Sequence, residues 1–242
     1  MKKALLFLTV ASLLAFAGYG FPSVSGMQPS GGGLFSVSKG KQVRFAPGNL
    51  VYDSVVGYRF ADHQYDYGGL FGWGTGGNPT LTSTDNGDYP TFDDWGSHIA
   101  GGWRTLAPDD WSYLLFHRAN ASAKSGAATV CGVPGIILLP DNWGGGAFNA
   151  GFRELIDDKV WSSNVYDASA WSAMEEAGAV FLPAAGDRHG TSVHNEGAAG
   201  SYWSSEPYAA IYACYMNFSR ADVGTGFDSR CLGHSVRLVR DV

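Results

Sequence analysis

The sequence predicts an α+β domain with two helices, short antiparallel strands and long irregular loops. Three observations carry that prediction. Gly fills 34 of 242 positions and aromatic residues make up 14%, a composition of many turns and few long helices. Only two segments have helical periodicity. Between them recur short apolar or alternating runs bounded by Gly, Pro, Asn and Asp, and no repeat of the length used by solenoids or propellers is present.

In chain order, MKKALLFLTVASLLAFA (residues 1–17) has a basic start at Lys2 and Lys3, an apolar stretch from Ala4 to Phe16 and a small-x-small end. That is the pattern of a secretory signal peptide, shorter than the ~20 residues a membrane span needs. Gly18 stands where a lipidated Cys would follow. The expectation is an exported chain, secreted or at the cell surface, with no transmembrane segment after signal cleavage. Loss of Lys2 and Lys3 takes the formal charge from −6 to −8. An acidic chain of this kind lacks the basic face that nucleic acid requires.

Residues 18–33 (GYGFPSVSGMQPSGGG) read as a flexible linker, and residues 34–242 as the folded domain. Leu34–Ser38 and Gln42–Phe45 read as strands around a Lys39-Gly40 turn. The aromatic and Gly-rich run from Tyr58 to Thr84 reads as irregular. In WRTLAPDDWSYLLFHRANA, Pro108 suits the first helical position, Asp109 and Asp110 the first turn, and Trp111, Leu114 and Leu115 share one face. ATVCGVPGIILLP reads as two buried strands split at Val133-Pro134-Gly135, with Cys131 a buried thiol. DASAWSAMEEAG reads as the second helix, with Asp167 or Ser169 as N-cap and Gly178 beyond its C-terminus. AVFLPAAGDR, SYWSS, AIYACYMNF and HSVRLVRDV supply further strands.

Enzymatic signatures are sparse. The histidines (63, 98, 117, 189, 194 and 234) are scattered and none pairs with another at helical spacing. GWGTGG (72–77) has no helix after it to hold a phosphate. The carboxylate pairs Asp62/Asp66, Asp93/Asp94 and Asp109/Asp110 suit solvated loops and helix starts. No metal and no cofactor is expected, and no catalytic residue is assigned. With three cysteines at least one thiol stays unpaired, and Cys214–Cys231 is the local pairing.

The segment from Tyr208 to Ser235 has no evident period and no Lys, Glu, Gln or Trp. Framed by SYWSS and HSVRLVRDV, it resembles the C-terminus of C-type lectin-like variable proteins of bacterial diversity-generating retroelements. FSVSKGKQVRFAPGNLVY, YRFADHQYDY, LFGWGTG, WRTLAPDDW, ILLPDNW and GAVFLPAAGDR resemble segments of secreted proteins of this fold from Bacteroides-type bacteria. The resemblance covers most of residues 34–242. It implies a C-type lectin-like fold, related to that of the formylglycine-generating enzymes, and a variable region at about 204–234. In such systems adenine randomisation turns AAY codons into NNY, a set that cannot encode Lys, Glu, Gln, Met or Trp. Between Tyr208 and Ser235 only Met216 lies outside that set.

On this reading Met216, Phe218 and Val223 are fixed anchors. The candidate variable, ligand-binding positions are Tyr208, Ala209, Ala210, Ile211, Tyr212 and Cys214, then Ser219, Arg220, Ala221 and Asp222. They continue with Gly224, Thr225, Gly226, Phe227, Asp228 and Ser229, and end at Cys231, Leu232 and Gly233. Tyr208, Tyr212 and Phe227 would be aromatic anchors, and Arg220, Asp222 and Asp228 would give polar specificity. The partner would be a protein or glycan on a cell or phage surface. The alternatives are a lectin-like adhesin with one fixed carbohydrate or protein partner, and an enzyme of the formylglycine-generating type using a cysteine pair.

Overall fold

A computed structural model describes residues 32–148 and 164–242. Among these the molecule is mixed α+β, with two α-helices and many short strands in small sheets. β1 (Phe35–Ser38) and β2 (Lys41–Phe45) turn at Gly40, whose φ of 78° is open to Gly at little cost. The last strand, β14 (Val239–Asp241), pairs antiparallel with β2, so the two ends of the domain share one sheet. A hairpin of β3 (Leu50–Asp53) and β4 (Gly57–Phe60) follows. Tyr58–Phe60 is thus paired strand, although its aromatic and Gly-rich surroundings suggest an irregular run.

Helix α1 (Pro108–Ser112) starts at the expected Pro, and Asp110 accepts the Ala107 N–H at 3.2 Å. It is shorter than its apolar spacing suggests. From Tyr113 to His117 it loosens into a π turn closed by the Arg118 N–H donating to the Tyr113 carbonyl. Leu114 and Leu115 still reach the core.

β5 (Ser125–Val130) and β6 (Val133–Leu138) form a hairpin in a four-stranded sheet of order β7-β5-β6-β8, with β7 (Val165–Tyr166) and β8 (Val180–Pro183) at its edges. The turn is Cys131-Gly132, not Val133-Pro134-Gly135. Both turn residues have positive φ, 50° and 84°, as a two-residue hairpin loop demands, and Pro134 lies at the start of β6 opposite Thr129. Cys131 is therefore a half-buried turn residue and not a core thiol. Helix α2 (Ala168–Glu176) is capped by Asp167, which accepts the Ala170 N–H at 2.8 Å, and leads to Gly178 at φ 96°. Both expectations hold there.

Alternation along β6 and β8 splits the core in two. Ile136, Leu138, Val180 and Leu182 face a cluster with Phe35, Val43, Trp111 and Tyr202, whereas Ile137 and Phe181 face Trp171 and Met174 of α2. A third cluster gathers Leu50, Phe71, Trp73, Trp95 and Trp203. Asp141 joins the sheets, accepting the Ser36 N–H (2.8 Å) and hydroxyl (2.7 Å), the Gln42 amide (2.9 Å) and Arg118 (3.2 Å). These bonds and the Arg118 charge hold its carboxyl below the usual range although burial opposes ionisation.

β9 (Asp187–His189) pairs with β10 (Ser192–His194). Then come the three longest strands, β11 (Ala199–Pro207), β12 (Tyr212–Ser219) and β13 (Val223–Ser229), an antiparallel meander. The chain returns through Gly233–Val239, entirely buried. This block does not join one sheet. Gly233 bridges Arg188, His234 bridges Phe71, Ser235 bridges Tyr202, and Val239 bridges Arg104. Arg237, between the apolar Val236 and Leu238, is itself buried at 2% exposure. Its guanidinium donates to the side-chain oxygens of Asn49 and Gln64. Gln64 also accepts the Phe181 N–H and donates to Glu175, which extends the network across the domain. No helix among the described residues is long and apolar enough to cross a membrane.

Candidate functional site

The unpatterned segment of the sequence is a β-hairpin. Ser219 donates its N–H to the Asp222 carbonyl at 3.0 Å, closing the turn at Arg220-Ala221, and Phe218↔Val223 to Tyr212↔Ser229 pair in continuous register. Its missing period has a physical cause. Each face of β12 is covered over part of its length. Met216 (0% exposed) and Phe218 (2%) face the main core, with Val223 packed beside them, while Ala213 and Tyr215 face the Trp203 cluster. Burial therefore falls at 213, 216 and 218, which matches neither a strand nor a helix period.

Beyond the core, the face that carries Met216 emerges into solvent. There Tyr208 (58% exposed) stacks on Phe227 (48%) with ring centroids 3.9 Å apart and planes 3° from parallel. Tyr212 meets Phe227 edge-on at 5.6 Å, and Ile211 is 44% exposed. The three aromatic residues expected to act together are thus one surface cluster. Cys214 lies opposite Phe227 on the neighbouring strand. Burial pushes its thiol pKa up, and the nearby carboxylates of Glu206 and Asp109 add to the rise.

The remaining candidates divide. Ala209, Ala210, Arg220, Asp222 and Thr225 are exposed; Ser219, Ala221, Gly224, Gly226, Ser229 and Leu232 are half-buried. Asp222 accepts the Ser219 hydroxyl at 2.8 Å and belongs to the hairpin turn. Between it and Phe227 the strand runs about 17 Å at ~3.4 Å per residue. Asp228 points to the opposite face from Phe227, being paired with Ala213. Its carboxyl pKa is pushed up by burial and by the charge of Asp187, against the Ser229 N–H that donates to it at 2.8 Å. The polar trio therefore does not surround the aromatic one.

Two candidates lie beneath the surface. Cys231 is buried, and its N–H donates to Asn86 at 3.0 Å. Gly233 is buried with no room for a side chain, because a Cβ there would lie 2.6 Å from Arg188 Nε. All three thiols are free, so Cys214 and Cys231 do not pair.

Sequence reasoning missed Arg230. This buried side chain holds the loop that carries the aromatic cluster. The Arg230 backbone N–H donates to the Ile211 carbonyl (3.0 Å), and from the side chain Nη2 donates to the Ala209 carbonyl (2.9 Å) and Nε to the Tyr212 carbonyl (3.3 Å). Nη1 reaches the carbonyls of Tyr89 and Pro90, and the guanidinium lies 4.5 Å above the Trp73 ring. Only the planar five-donor fork of Arg can serve so many carbonyls at once. The one signal in the sequence was an Arg interrupting the run of candidate positions.

His234 is enclosed as well. It is 0% exposed and stacked 4.1 Å from Trp203, and neither ring nitrogen has a hydrogen-bond partner among the described residues. Burial and the charge of Arg188 push its pKa down to about 3, outweighing the Asp228 carboxylate 3.7 Å away. Most of the paired carboxylates serve local structure. Asp94 caps the turn at Trp95 by accepting the Gly96 N–H, Asp93 pairs with His98, and Asp110 pairs with Arg104. An open cleft of about 250 Å³ lies elsewhere, between Tyr67, Leu70, Arg188 and Glu196.

No protein-family model, curated protein or solved structure matches this chain.

Proposed function

We propose that this is an exported ligand-binding protein of C-type lectin-like fold, whose surface around Tyr208–Phe227 is a site diversified by a retroelement. The carrying observation is the division of labour within one hairpin. Stacked aromatic rings stand in solvent at positions the NNY set can encode, while Met216, the one residue outside that set, is fully buried in the core further along the same face. An exposed aromatic cluster of this kind supports binding, since desolvating rigid rings supplies affinity at low entropic cost. Arg230 supports it further by fixing the loop from below, leaving the outward side chains free to change without unfolding the domain.

A binder rather than a catalyst is also supported by the enclosure of His234 and the raised thiol pKa values of Cys214 and Cys231. The test is to sequence the 3′ end of the gene and its flanking DNA across many cells of the source population. The expected result is a reverse-transcriptase gene nearby and a template repeat with adenines at the codons of the exposed positions. Codon 216 would be unchanged throughout. An invariant 3′ end with neither feature overturns diversification and leaves a lectin-like binder with one fixed partner.

A further inference from the structure

The aromatic cluster adjoins a second feature, the outer edge of β13. Because Ser219 and Asp222 close the hairpin by a hydrogen bond, the bonded pairs of the ladder are Asn217–Gly224, Tyr215–Gly226 and Ala213–Asp228. The N–H and C=O groups of Val223, Thr225 and Phe227 therefore point away from β12. β13 is the last strand of its sheet, and no backbone group among the described residues pairs with that edge. A seven-residue strand with an unpaired edge is a template for another extended chain. Natural edges are usually blunted by Lys, Pro or a bulge, and β13 (VGTGFDS) has none of these along its register.

Charge narrows the occupant. Glu206 and Asp109 are exposed, both act electrostatically on Cys214, the residue paired with Phe227, and neither forms an ion pair among the described residues. An added strand would place alternate side chains beside Thr225 and Phe227, ~4.5–5.5 Å away. An Arg or Lys there can lie across the Phe227 face, as cations do over aromatic rings, with its head toward those two carboxylates. The chain as a whole carries a formal charge of −6.

We propose that the outer edge of β13 receives an extended, basic segment of a protein partner as a fourth strand, its cationic side chains lying over the Tyr208–Phe227 stack. This rests on the binding reading above and names its ligand class as peptide, not glycan. The mode is strand addition, in which main-chain bonds give affinity and alternate side chains give specificity.

The test uses the purified full chain to select from phage-displayed random dodecapeptides, with the Tyr208→Ala/Phe227→Ala double variant as counter-selection, and a glycan array in parallel. The expected winners alternate Arg or Lys with β-branched residues and bind less tightly as salt is raised. Methylating the alternate amides of a winning peptide should weaken it roughly ten-fold or more, the cost of one or two backbone hydrogen bonds. Thr225→Pro should do the same, because the N–H it removes faces outward and the ladder to β12 is kept. Winners indifferent to both changes, or winners lacking basic residues, overturn the proposal. So does failure to enrich any peptide. If the array then shows a glycan whose binding depends on Tyr208 and Phe227, the binding reading stands while strand addition falls. If neither probe binds, both fall.

Discussion

The hairpin Tyr212–Ser229 and the terminal block Gly233–Val239 lie next to each other in the chain and invert each other's chemistry. At the hairpin, aromatic rings stand in solvent: Phe227 is stacked on the outside against Tyr208 of the preceding loop. In the terminal block, a guanidinium and an imidazole are buried: Arg237 at 2% exposure and His234 at 0%. Ordinary partitioning would reverse both. The difference teaches how the two segments divide the work. The terminal block threads between several strands through backbone bridges, and Arg237 ties it to Asn49 and Gln64 while His234 fills space against Trp203. The hairpin is held by its own ladder and by Arg230 underneath, so its outer side chains are free to serve a partner.

The largest effect should come from breaking the buried network. Arg237→Ala leaves the Asn49 oxygen without a donor, takes one of two donors from the Gln64 oxygen and empties a buried site, and should cost about 3–5 kcal/mol in urea unfolding. A loss under about 1 kcal/mol would mean that the Arg237 network does not hold the terminal block in place.

Acid comes next. The folded pKa of His234 is depressed to about 3, whereas in the unfolded chain it titrates near its ordinary value. Above that ordinary value both states are neutral and the residue adds no pH dependence. As pH falls below it the unfolded chain takes up the proton first, so stability drops, by roughly 3 kcal/mol at pH 4. The slope ends near pH 3, where the folded form also protonates. His234→Phe keeps a ring on Trp203 and should remove this share of the acid sensitivity. A variant whose stability falls with pH as steeply as the parent's would refute the assignment.

Gly233→Ser sharpens the border between the two regions. It should cost about 1–3 kcal/mol by forcing Arg188 aside, although Ser belongs to the NNY set. Sister copies that vary at Gly233 while remaining folded would move the border inward. The smallest stability effects should be at the surface: Tyr208→Ala and Phe227→Ala are each expected within about 1 kcal/mol of the parent. The same changes should abolish ligand binding, and a large loss of stability instead would make the stack structural.

Much of the scaffold was legible because its signals are local. Asp167 and Gly178 bracket α2 as their capping chemistry requires, and Pro108 opens α1. The first hairpin turns where Gly40 allows positive φ. The β5–β6 turn was misplaced because Pro134-Gly135 is a turn signal by composition, yet only Cys131-Gly132 satisfies the register of the two strands. The aromatic anchors were named from residue type, and their juxtaposition across the loop and β13 is a product of the fold.

The sequence by itself determined the α+β class, the ends of α2, and the fact that Met216 stands alone outside one codon set between Tyr208 and Ser235. Each of these depends on composition or on residues a few positions apart. Only the tertiary structure decided that the segment is a hairpin, that Arg237 and His234 are interior, and that Cys231 and Gly233 are closed to solvent. Those outcomes depend on which distant segment covers each face of a strand. Coverage that changes along the length of β12 erases the periodicity by which a strand is read.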